Sequence, residues 1–104
     1  MSSEMNSMNF PTEVLHSEIP VLLDFYATWC VPCRMLAAEL DKLAEKYSNV
    51  IRVYRVNVED EPVLTARYSV LEIPTVIFFK NGRSTDRFIG YRTAEELENM
   101  ILKI

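Results

Sequence analysis

Glycine is scarce in this chain, with only Gly82 and Gly90 among 104 residues. Histidine occurs once, as His16, and cysteine twice, as Cys30 and Cys33. Structural zinc takes four protein ligands, so so few soft ligands exclude a four-ligand centre within one chain. A zinc or iron–sulfur site would need a dimer sharing both cysteine pairs. No apolar run approaches the ~20 residues that span a membrane, so no membrane partner is expected. The net charge is −4 with Lys and Arg scattered, which gives no basic face for nucleic acid. Met1-Ser2-Ser3-Glu4-Met5-Asn6 has neither a positive n-region nor an apolar h-segment. We therefore expect no secretory leader and a cytoplasmic protein. There a disulfide is more often transient and catalytic than structural.

What remains is ample for a core. Apolar residues make up 49% of the chain, and no repeat, linker or low-complexity tract interrupts it. Residues 1–104 read as one domain, with 1–9 loosely held. Helix and strand patterns alternate, which predicts an α/β layered fold.

The stretch Asp24-Phe25-Tyr26-Ala27-Thr28-Trp29-Cys30-Val31-Pro32-Cys33 carries the chemistry. An apolar strand over 21–26 runs straight into a Cys-x-x-Cys turn, which opens a long amphipathic helix. Two thiols three positions apart at a helix start can close a small disulfide ring. The first also sits where unpaired N–H groups and the helix macrodipole favour an anion. Thiolate is the nucleophile of thiol–disulfide exchange. A helix end contributes roughly 0.3–1 kcal/mol to a nearby anion. A tenfold gain in thiolate needs about 1.4 kcal/mol, so the second thiol and local hydrogen bonds must contribute as well.

One residue breaks the apolar strand. An ionised Asp24 in a strand covered on both faces costs several kcal/mol unless it is paired or stays neutral. It is either an aspartate that reaches water near a strand end, or a buried proton acceptor beneath the second cysteine. The adjacent cysteine pair favours the acceptor.

Around this centre the remaining elements follow in order. Pro11 or Thr12 opens a helical turn through Val14 and Leu15, and His16 reads as a surface residue. A helix from Pro32 to about Tyr47 turns Met35, Leu36, Leu40, Leu43 and Tyr47 toward the sheet. Glu39, Asp41, Lys42, Glu45 and Lys46 face solvent, and Ser48-Asn49 ends the helix. A β-branched strand over 50–58 puts Ile51, Val53 and Arg55 on one face. Asp60-Glu61-Pro62 starts a helix that places Val63, Leu64, Arg67 and Tyr68 at helical spacing. After Ile73-Pro74-Thr75 comes a strand over 76–79, and Asn81-Gly82 is a hairpin turn of type I′. Residues 85–89 form an edge strand. A capping box at Thr93-Ala94-Glu95-Glu96 then opens a last helix with Leu97, Ile101 and Ile104 buried.

With Trp29-Cys30-Val31-Pro32-Cys33 and Ile73-Pro74-Thr75 in this strand–helix order, the chain resembles the thioredoxin family from about Phe10 to Ile104. The resemblance implies a thioredoxin fold, with a central mixed sheet flanked by helices on both faces. It implies that Pro74 is cis, lies against the cysteine pair and leaves backbone groups available to an extended substrate. It implies a protein-disulfide reductase in which Cys30 attacks, Cys33 resolves and Asp24 assists proton transfer. Trp29, Val31, Pro32, Ile73, Pro74, Thr75 and Gly90 would meet the substrate. No cofactor or metal is implied. The implied partners are disulfide-containing proteins and a recycling reductase, thioredoxin reductase, and a monomer is expected.

Several residues depart from the family pattern. Val31 replaces the usual glycine between the cysteines, and Ala38 replaces the mid-helix proline, which predicts a straighter helix. Arg55 stands where the family has lysine near Asp24, so its charge is fixed. Ser69 and Glu72 fill loop positions that are often glycine, and Glu72 adds negative charge beside the cysteines. Two alternatives stay open at this point. A disulfide oxidase or isomerase would need a more oxidising pair, and a non-enzymatic partner subunit would use the same apolar apron with its thiols idle.

Overall fold

The computed structural model describes residues 3–103. Its sheet is built on Val21–Tyr26 (β2), whose first five residues are buried. Ser3–Glu4 (β1) and Arg52–Asn57 (β3) lie to one side of it, and Thr75–Lys80 (β4) and Arg83–Ile89 (β5) to the other. The order is β1-β3-β2-β4-β5. The first three strands run parallel, and β4 and β5 are antiparallel to their neighbours. This is the mixed sheet that the resemblance implies.

Strand alternation sends side chains to two cores. Leu22, Val53, Val76, Phe78 and Phe88 pack with Leu36, Leu40 and Leu43 of Val31–Lys46 (α1) and Leu97 of Ala94–Ile101 (α3). On the opposite face, Leu23, Phe25, Val56, Ile77 and Phe79 pack with Leu64 of Pro62–Arg67 (α2) and with Phe10 and Val14. Phe10, Tyr68 and Phe79 form an aromatic trio there, with centroids 5.4–6.1 Å apart. Each fully buried large side chain contributes on the order of 2 kcal/mol. Among the described residues no helix is long and apolar enough to cross a membrane.

The helix ends match their local signals. Asn81 and Gly82 both have positive φ, +54° and +78°, as a type I′ hairpin requires. Thr93 and Glu96 close the capping box at 3.1 and 3.2 Å. The turn over Pro11–Leu15 is a single π-helical turn, and His16, which follows it, is exposed.

Elsewhere tertiary contacts overrule spacing. Met35, expected on the buried face of α1, is half exposed, because the buried stripe is Cys33, Leu36, Leu40 and Leu43. Glu39, expected in solvent, is partly buried: Lys42 Nζ donates to it at 2.8 Å and the Ala94 amide at 3.0 Å. Val63 is exposed, so only Leu64 anchors α2. The edge strand starts at Arg83, two residues earlier than its spacing suggests, and β3 spans only Arg52–Asn57. Within the segment expected to be loose, Ser3–Glu4 pairs with β3 and Met5 is buried in the core, because a short parallel strand completes that edge. Residues 1 and 2, and the place of Ile104 in the last helix, lie outside the described residues.

Gly82 is required at its turn for two reasons: its φ, and a Cβ that would collide with the Leu15 carbonyl group. Gly82→Ala should therefore lower stability by roughly 1–3 kcal/mol in urea unfolding. An unchanged midpoint would show that the turn relaxes.

Candidate active site

The site begins where β2 ends. Ala27 is buried, and its carbonyl accepts the Cys30 amide at 3.3 Å. Arg34 Nη1 reaches back to the Thr28 carbonyl at 3.1 Å and braces the same turn. Cys30 is the N-cap of α1, with extended backbone, and its Sγ accepts the Cys33 amide at 3.2 Å. Cys33 is the third residue of the helix, so this donor is one of the unpaired N–H groups of the helix end. Pro32 sits in the first helical turn, where a missing N–H costs nothing.

Cys30 and Cys33 are joined in a disulfide, with Cα atoms 5.2 Å apart. They pack with Ala27 and against Tyr26, Val58 and Ile73. Cys33 is fully enclosed while Cys30 retains 6% exposure, so an incoming sulfur can approach only Cys30.

A second segment closes over the pair. The Ile73–Pro74 peptide is cis, as the resemblance implies. Pro74 is buried, and its carbonyl accepts the Gly90 amide at 2.9 Å. One of that carbonyl's two acceptor positions is thus taken within the sheet. Gly90 has φ +94°, which favours glycine. Thr75 pairs with Phe25 on one side and Ile89 on the other, and its hydroxyl donates to the Glu72 carbonyl. The ends of β2, β4 and β5 thus meet at the cysteines. Trp29 is 67% exposed, which excludes a purely loop-packing role. Val31, Leu71 and Ile89 are exposed apolar residues as well, and Pro32 and Glu72 are exposed.

Asp24 does not reach water: its exposure is 0%. By alternation it follows Leu22 on the sheet face that α1 covers, the side on which Cys33 begins the buried stripe. Arg55 Nε donates to its Oδ2 at 3.3 Å, while Oδ1 has no hydrogen-bond partner. Burial pushes the Asp24 carboxyl up to about 7, against the lowering effect of Arg55 and with a smaller raising effect from Glu4. A buried carboxyl with one free oxygen, titrating near neutrality, is equipped to take up a proton.

Sequence reasoning missed two neighbours of this aspartate. Tyr26 stacks beneath the Arg55 guanidinium at 3.7 Å, and its hydroxyl bonds to Glu4. The two-residue spacing of Tyr26 from Asp24 could have placed it on the same face. Nothing in the sequence marks Glu4.

Comparison with known proteins agrees with this geometry. A thioredoxin family model matches residues 2–103. The chain is 39% identical over 101 residues to a thioredoxin of Porphyra purpurea, covering 97% of this chain and 94% of that one. It is 38% identical over 103 residues to thioredoxin 1 of Synechococcus elongatus, covering 99% and 96%. Against the chloroplastic M-type thioredoxin of Spinacia oleracea identity is 40% over 100 residues, or 96% of this chain and 55% of that longer one.

The raised carboxyl has a consequence for stability. Its native pKa lies above the unfolded value, so the folded state binds the proton more tightly and the group is destabilising once both states would ionise. The penalty is absent below about 3.8, grows as pH rises towards about 7, and is constant above that. Asp24→Asn should therefore stabilise the oxidised protein by on the order of 2–4 kcal/mol at pH ~8 and hardly at all at pH ~4, measured by urea unfolding. Equal effects at the two pH values would refute the assignment.

Proposed function

The chain belongs to the thioredoxin family, and from that premise we propose how its cysteine pair works. It is a thiol–disulfide oxidoreductase, a protein-disulfide reductase acting through a redox-active disulfide. Its substrates are disulfides, and a reductase returns it to the dithiol form.

In the proposed cycle the Cys30 thiolate attacks one sulfur of a substrate disulfide. That S–S bond breaks, a mixed disulfide forms, and the released substrate thiolate takes a proton. Cys33 then gives its proton to Asp24 and attacks Cys30 Sγ. The mixed disulfide breaks, the second substrate thiolate leaves, and it takes up the proton that Asp24 gives back. Two electrons and two protons have passed to the substrate, and the protein holds the Cys30–Cys33 disulfide seen here. The observation that carries this order is access: Cys33 is sealed, while Cys30 keeps some exposed surface and caps the helix.

Trp29, Val31, Pro32, Ile73 and Gly90 form the proposed substrate surface around an enclosed disulfide, with Pro74 and Thr75 buried beneath it and contributing backbone rather than side-chain surface. We assign recycling to thioredoxin reductase and place the protein, as a single-domain monomer, in the cytoplasm.

Mixing single-cysteine variants with a disulfide-bonded test protein checks the order of attack. Cys33→Ser should accumulate a covalent adduct by mass spectrometry, and Cys30→Ser should form none and lose turnover. The reverse pattern would exchange the two roles. Equilibration against glutathione should place the potential of the wild-type pair below the cytosolic glutathione poise. A potential above it would favour an oxidase or isomerase.

A further inference from the structure

Glu4 of β1, Arg55 of β3 and Asp24 of β2 stand in one register row across three parallel strands. A cation therefore lies between two acids. Its guanidinium meets Asp24 on one side and stacks on Tyr26, 3.7 Å from the ring centroid. The Tyr26 hydroxyl lies 3.0 Å from each oxygen of the Glu4 carboxylate. The ring is thus fixed twice, by the cation above it and by the anion at its tip.

Arginine cannot release its proton, so it draws Asp24 toward the permanent anion, which is a poor proton acceptor. Burial opposes that pull, and a second negative charge near the pair weakens the hold further. We propose that Glu4 is a positioning residue for the exchange reaction, held by the Tyr26 hydroxyl so that its charge offsets part of the Arg55 pull and makes Asp24 a stronger proton acceptor. The inference rests on Asp24 being the proton acceptor of the proposed function.

The other neighbours do not supply this charge. Opposite Asp24, β4 presents Val76, and α1 presents the cysteine pair, uncharged while oxidised. Asp60 acts on the Tyr26 hydroxyl rather than on the carboxyl. Burial and the Glu4 bond both raise the Tyr26 hydroxyl above its ordinary value, so it remains a donor through neutral pH.

The test is the titration midpoint of the Asp24 carboxyl carbon, read by NMR on the oxidised protein without substrate. Glu4→Gln should lower that midpoint by about half a pH unit, as expected for one partly screened charge a strand or two away. Tyr26→Phe, which frees Glu4 but keeps the ring under Arg55, should lower it part of the way. The pH profile of disulfide reduction should move in the same direction for both variants. A midpoint in Glu4→Gln equal to or above the wild-type value overturns the inference, whatever the role of Asp24. An Asp24→Asn pH profile identical to wild type would instead overturn the acceptor reading on which it rests.

Discussion

A carboxyl group with no exposure to water stands in the innermost strand of this protein, beneath the helix that bears its disulfide. Burying such a group costs several kcal/mol in its ionised form, and no apolar replacement would carry that cost. Its single charged hydrogen bond comes from a guanidinium that is itself held against an aromatic ring. The parallel pairing of β2 with β3 brings these groups together, since Asp24 and Arg55 are register partners. The sheet therefore does more than support the cysteines. It sets the proton affinity of the group below them.

Above that group, three strand ends converge on one short surface. β2 delivers the cysteine turn, β4 begins with Thr75 just after the cis proline, and β5 ends beside Gly90. Phe25, Thr75 and Ile89 are consecutive partners across the sheet, so backbone hydrogen bonding fixes their relative height. Site precision in this fold follows from pairing register rather than from loop contacts.

Much of this was readable from the residues. The apolar run over 21–26, the Cys-x-x-Cys at its end, the Asn81-Gly82 turn and the Thr93–Glu96 cap each rest on local rules, and each appears where the rule puts it. Met35 was misplaced because it lies at the margin of a helical stripe, where spacing alone cannot choose between faces. Glu39 was misplaced because its partner, the Ala94 amide, is 55 residues away. Glu4 gave no signal at all, since a strand of two residues has no periodicity to read. Local chemistry was legible, and contacts between distant segments were not.

Glu39 ties the last helix to the one that carries the cysteines. α3 is eight residues long, well below the length at which a helix persists alone in water. One of its first amides is satisfied by a side chain of α1, and Lys46 of α1 pairs with Glu98 in its last turns. The C-terminal helix therefore cannot melt without releasing groups on the helix that carries the cysteines. Opening of α3 is thereby coupled to the helix on which the redox centre sits, through these two contacts.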